Sequence, residues 1–122
     1  MARFYQQARN FNFFISAAGD RSYDETVVAF KSSGTEEDNT YVPGEVMVKT
    51  TTGYVKFTGE ETGTFHINGK REIVTADDVY RLVFISRDAE VQASKLVFTD
   101  GLTPTEIATA KAALADQGVV LR

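Results

Sequence analysis

Cysteine is absent from the 122 residues, which excludes disulfides, thiolate metal sites and cysteine nucleophiles. Histidine occurs once, as His66, so histidine pairs and multi-histidine metal sites are excluded as well. Proline occurs twice and glycine nine times, too few for a collagen-like or low-complexity chain. No apolar run approaches the roughly 18 residues that a helical membrane span needs, and no signal-peptide-like apolar stretch follows the first arginine. Neither a GxGxxG nor a P-loop string is present, so no phosphate cradle is expected. Little catalytic equipment is left.

What is there is a 13.5 kDa chain with 43% hydrophobic, 25% charged and 11% aromatic residues. That length suits one domain, which can bury roughly two-thirds of its unfolded surface without staples. The net charge of −4 is unevenly placed. Residues 1–23 hold Arg3, Arg9 and Arg21 against Asp20 alone, whereas residues 24–63 hold eight acids against Lys31, Lys49 and Lys56. Six of the fourteen aromatics also fall in the first 23 residues. A basic, aromatic leader therefore precedes an acidic body, and the acidic body disfavours phosphate-backbone binding.

The leader fits two periods. Phe4, Ala8, Phe11 and Ile15 fall at helical spacing, while Phe11, Phe13 and Ile15 alternate as in a strand. Its aromatics suit either packing on the domain's own core or docking on another chain, because aromatics and arginine dominate interface anchors. A basic amphipathic membrane anchor is a third, weaker fit. Phe4, Tyr5, Arg9, Phe11, Phe13 and Phe14 are the candidate docking residues of an arm spanning 1–23, ahead of a β-rich domain over 24–122.

In that domain, strands are expected at 25–30, 45–50, 54–58, 79–86 and 95–99, with a shorter one at 64–68. Thr51-Thr52-Gly53 has the size and glycine of a hairpin loop. Leu82, Val83, Phe84 and Ile85 run almost continuously, which implies burial on both faces of their strand. Residues 31–44 and 59–78 read as polar connections, with turns at Asn68-Gly69 and Lys70-Arg71. A helix is expected near 104–117. Thr103-Pro104-Thr105-Glu106 forms a capping box with proline at the first helical position, Ile107, Ala110 and Leu114 share a face, and Gly118 suits the left-handed C-terminal residue. Val119-Val120-Leu121 returns as a strand or buried tail. The fold class is mainly β with one C-terminal helix.

Chemistry-bearing groups are sparse. The acid run Glu36-Glu37-Asp38 lacks the spacing of a calcium loop around a central glycine. His66, in a glycine-rich polar connection, reads as exposed or structural rather than as the base of a triad. Asp77 and Asp78 are adjacent, so on a strand they would face opposite sides. An oligonucleotide-binding barrel would use Tyr54, Phe57 and Phe84, yet Glu60 and Glu61 crowd that hairpin end. No catalytic, cofactor-binding or metal site is expected, and neither is an enzyme.

Three stretches resemble the small head decoration proteins of tailed bacteriophages, of the lambda-like type. They are EVMVKTTTGYVKF (45–57), VYRLVFISRDAEVQASKLVFTDG (79–101) and LTPTEIATAKAALADQGVVLR (102–122). The resemblance covers a little under half the chain. It implies a β-clip-like fold and a homotrimer seated on the outer surface of the expanded virion capsid, after a period in the host cytoplasm during assembly. The implied partners are the major capsid protein and two further copies of the chain, with no cofactor, no direct nucleic acid contact and no membrane. A tail or neck component with a β-barrel core, or a nucleic-acid-binding β-barrel, is the alternative.

Overall fold

A computed structural model describes residues 14–17, 23–27, 40–51, 53–73 and 81–122, with 14–17, 23–27 and 81–82 described by backbone alone. Ten strands and one α-helix are found among them: β1 (Phe14–Ala17), β2 (Tyr23–Val27), β3 (Thr40–Tyr41), β4 (Val46–Thr50), β5 (Gly53–Lys56), β6 (Thr64–Asn68), β7 (Glu72–Ile73), β8 (Arg81–Ile85), β9 (Ala89–Val91), α1 (Pro104–Asp116) and β10 (Val119–Leu121). The chain is mainly β with a single C-terminal helix.

The largest sheet runs β2-β8-β6-β4-β5, with every neighbouring pair antiparallel. A smaller one runs β1-β9-β10, with β1 antiparallel and β10 parallel to the middle strand. β3 pairs with β7 alone. The period of two in the sequence explains why the large sheet is covered on both sides. Val46, Val48, Phe65, Ile67 and Ile85 turn to one face, where they join Val91, Ala110, Leu114 and Val119. Met47, Tyr54 and Phe84 turn to the other, where they meet Tyr41. The double burial expected of the β8 run is met by Phe84 and Ile85, both fully buried.

The helix forms as its sequence dictates. Thr103 Oγ1 accepts from the Glu106 amide at 3.2 Å, and Glu106 Oε1 accepts from the Thr103 amide at 2.9 Å. Two otherwise unpaired donors of the first turn are thereby satisfied. Ala110 and Leu114, four residues apart, are completely buried against the sheet. Gly118 ends the helix at φ +86°, and a Cβ there would lie 2.9 Å from Asp88 Oδ1. Only glycine meets both conditions without strain.

Gln117 fastens this helix end to the large sheet. β6 and β8 pair only at Ile67–Ile85 and Asn68–Phe84, and beyond that point the backbone of Phe65 has lost its neighbour. The Gln117 amide fills the gap: Oε1 accepts from Phe65 N at 2.9 Å, and Nε2 donates to Phe65 O at 2.7 Å and Ser86 O at 2.6 Å. A side chain here does the work of a strand residue.

One expectation is corrected by the fold, one is extended and one is resolved. The strand at 95–99 is replaced by a 3₁₀ turn at Ala93–Lys95 and one parallel bridge, Glu45 to Val97. Leu96 and Phe98 do pack inward while Val97 is exposed, so the alternation is real. What is missing is a ladder. β4 is flanked by β5 and β6 along its length, and only its entry is open to Val97, which donates to Gly44 O at 2.8 Å and accepts from Val46 N at 3.0 Å. Second, Ala89–Val91, between the strands expected at 79–86 and 95–99, is the middle strand of the smaller sheet. Third, of the two readings of His66, exposed or structural, the second holds: it is buried within β6, the short strand expected at 64–68.

The strand expected at 25–30 is found over Tyr23–Val27, and residues 28–30 lie outside the described residues. β1 lies within the segment read as an arm, and its register with β9 sets Phe14–Ala17 into the smaller sheet.

Candidate cleft beside the edge of the large sheet

Strand β5 ends the large sheet, and its free side borders an open cleft of about 800 Å³. Tyr54, Val55 and Lys56 form one wall, Val97 to Asp100 another, and Tyr41, Glu45, Thr58 and Glu61 complete the lining. The hairpin sets the first wall. Thr50 pairs with Gly53 across a two-residue loop, and the Thr50 hydroxyl donates to Gly53 O at 3.0 Å. Phe57 N bonds Val46 O at 3.3 Å. In an antiparallel pair bonding alternates, so Gly53, Val55 and Phe57 bond inward to β4. The N–H and C=O groups of Tyr54 and Lys56 point outward.

Behind this wall lies a tile of rings. Tyr54 stacks on Phe84 at 4.6 Å between centroids, and His66 meets both edge-on, at 5.0 and 5.5 Å. Such packing contributes about 0.5–1.5 kcal/mol per aromatic pair beyond area burial. The lone histidine is thus embedded in the tile that supports the cleft wall.

The cleft's charges are arranged around Lys56. Its ammonium donates to Thr40 O at 2.8 Å, sits 5.2 Å from the centre of the Tyr41 ring, and lies 3.5 Å from Glu45 Oε1. At that distance the last contact is an ion pair rather than a hydrogen bond. Glu45 is only 5% exposed, and its Oε1 has no hydrogen-bond donor. Burial therefore lifts the Glu45 carboxyl to about 7, against the opposing pull of Lys56. Burial, and then the neighbouring Glu45 charge, raise the Tyr41 hydroxyl. Burial also pushes Glu61 upward, but bonds from the hydroxyl and amide of Thr58 outweigh it and hold that carboxyl below its usual value. A second buried oxygen on the lining, Thr99 Oγ1, lacks a partner too.

Sequence reading did not bring these residues together. Of the candidate docking residues, Phe4, Tyr5, Arg9, Phe11 and Phe13 lie outside the described residues, and Phe14 begins β1. Glu36 to Asp38, Asp77 and Asp78 also lie outside them. Tyr54 and Glu61 stand out in the sequence apart from the rest, and the signal that could have pointed to the cleft is Glu45, an acid just before the apolar alternation of β4. Its meeting with Lys56 and Thr99 depends on tertiary folding.

Among the described residues no group of three or more His, Cys, Asp or Glu could hold a metal ion, and no helix is long and apolar enough to cross a membrane. No protein-family model, curated protein or solved structure matches the chain.

Proposed function

We propose that this chain is a structural capsid-binding protein, a homotrimer that seats on the outside of an expanded phage shell and stabilises it against packaged DNA. One observation carries the reading. The stretches that resemble head decoration proteins, 45–57 and the adjoining 79–101 and 102–122, meet in one core. Val46 and Val48 come from the first, Ile85 and Val91 from the second, and Ala110, Leu114 and Val119 from the third. The stretches that carry the likeness thus pack into one unit, which supports the reading. The environment of His66 also favours a non-enzymatic role, because its imidazole is packed edge-on against Tyr54 and Phe84.

Co-sedimentation with expanded and unexpanded capsid shells tests the reading, alongside light scattering of the free protein. Saturable binding to expanded shells, with bound copies in multiples of three, is expected. Failure to bind any shell would overturn it. Retention on single-stranded DNA that falls steeply with salt would move the chain to the nucleic-acid-binding class.

A further inference from the structure

We infer that the free edge of β5 is a peptide-binding site: it accepts an extended, basic segment of a partner protein as an added strand. Independent observations meet at this place. The first is the edge itself. The outward N–H and C=O groups of Tyr54 and Lys56 give two donors and two acceptors at strand spacing, and no hydrogen bond among the described residues engages them. An uncovered strand edge is a template for pairing with another chain.

The second is the unmet demand of the cleft beside that edge. Glu45 Oε1 and Thr99 Oγ1 are buried, line the cleft, and lack hydrogen-bond partners. Buried polar atoms rarely stay unpaired without a purpose. Thr99 Oγ1 can accept or donate and Glu45 Oε1 accepts when its carboxylate is ionised, so a donor brought by a partner satisfies either oxygen.

The third is charge. Glu61 and Asp100 both line the cleft, and the only cation lining it among the described residues, Lys56, is already engaged by Glu45, Thr40 and the Tyr41 ring. A segment with lysine or arginine is therefore favoured over a neutral or acidic one. Main-chain bonds along β5 supply affinity, and the acidic rim supplies selectivity. This site stands on the edge and the cleft alone, whether or not the chain binds a capsid.

The probe is a blocked eight-residue peptide of alternating valine and lysine, with the valine–glutamate counterpart as control. In the free, dilute protein the Tyr54 and Lys56 amides should exchange with solvent freely, and the basic peptide should slow both by about tenfold or more at saturation. It should bind about tenfold more tightly than the acidic one. Lys56→Pro removes an outward donor and leaves the β4–β5 bonds intact, as proline on a strand's open side does. Lys56→Ala loses the same side chain but keeps the donor. Proline should therefore weaken binding about tenfold relative to alanine. Equal binding by the two folded variants, or equal binding of the two peptides, would overturn the inference. So would protection of both amides that rises with protein concentration alone, which would assign the edge to a second copy. Should the proline variant not fold, exchange in the unmodified protein still decides.

Discussion

The two faces of the large sheet are finished differently. On the face under α1, apolar side chains fill the space, and a gap in the hydrogen bonding at Phe65 is closed by Gln117. Toward the cleft, rings pack well, but Glu45 and Thr99 keep buried oxygens without partners, and no strand among the described residues pairs with the outer edge of β5. Departures from full satisfaction tend to gather where a protein binds something. The helix face is thus the part that holds the fold, and the cleft is the part that gives up stability. Substitutions on the two sides should differ in sign as well as size.

The largest loss should come from the helix face. Leu114→Ala removes a fully buried side chain between α1 and the sheet, and should lower unfolding free energy by about 2–5 kcal/mol. Urea denaturation checks this, with the peptide-binding edge unaffected in whatever fraction remains folded. A loss below about 1 kcal/mol would show that the helix does not close the core.

On the cleft side the sign reverses with pH. The Glu45 carboxyl is held at about 7, above its ordinary 4.5, so the folded state favours its neutral form. Its contribution is whole below about pH 4.5 and is lost as pH rises through about 7. A shift of that size corresponds to about 2–4 kcal/mol between those limits. Glu45→Gln should therefore be close to the parent at pH 5 and more stable than it at pH 8. Melting curves at the two pH values test this. A variant that is less stable at pH 8 would show that the Lys56 ion pair outweighs burial.

Gln117→Ala should cost about 2–3 kcal/mol, since it leaves Phe65 N, Phe65 O and Ser86 O to find other partners. Gln117→Glu sharpens the test. Its carboxylate can still accept from Phe65 N but cannot donate to the two carbonyls, so it should not restore stability. Full recovery by glutamate would mean that the donated bonds contribute nothing.

How far the sequence shows all this follows the range of the forces involved. The helix was legible to within a residue because capping box, proline, apolar face and terminal glycine are local signals. The β4–β5 hairpin and β6 were legible for the same reason, through alternation and a glycine-bearing turn. Residues 95–99 carried an honest alternation that misled, because whether a strand forms depends on which neighbours have open backbone. β9 was hidden by its length, since Ala89-Glu90-Val91 is too short for a period to register. The cleft was hidden more deeply. Glu45 immediately precedes β4 and Lys56 ends the neighbouring β5, but Thr99 arrives from a distant segment, and a side chain left without a partner is a property of the fold.

The smallest effect separates stability from binding most cleanly. Thr103 Oγ1 satisfies the Glu106 amide, while Glu106 Oε1 independently satisfies the Thr103 amide. Thr103→Ala removes the first bond and leaves the second, because the latter uses backbone that alanine retains. The loss should be about 0.5–2 kcal/mol, near the lower end with half the box intact. Thr103→Ser, which keeps the hydroxyl, should recover most of it. The cap lies outside the cleft lining, so binding of the basic peptide, and of shells if the capsid reading holds, should not change at 25 °C. A thermal melt and a peptide titration on each variant test both halves. A melting temperature unmoved by alanine would mean that the cap bond contributes nothing to stability. Weakened peptide binding by a stable alanine variant would tie the helix start to the cleft and end the division of labour between the two faces.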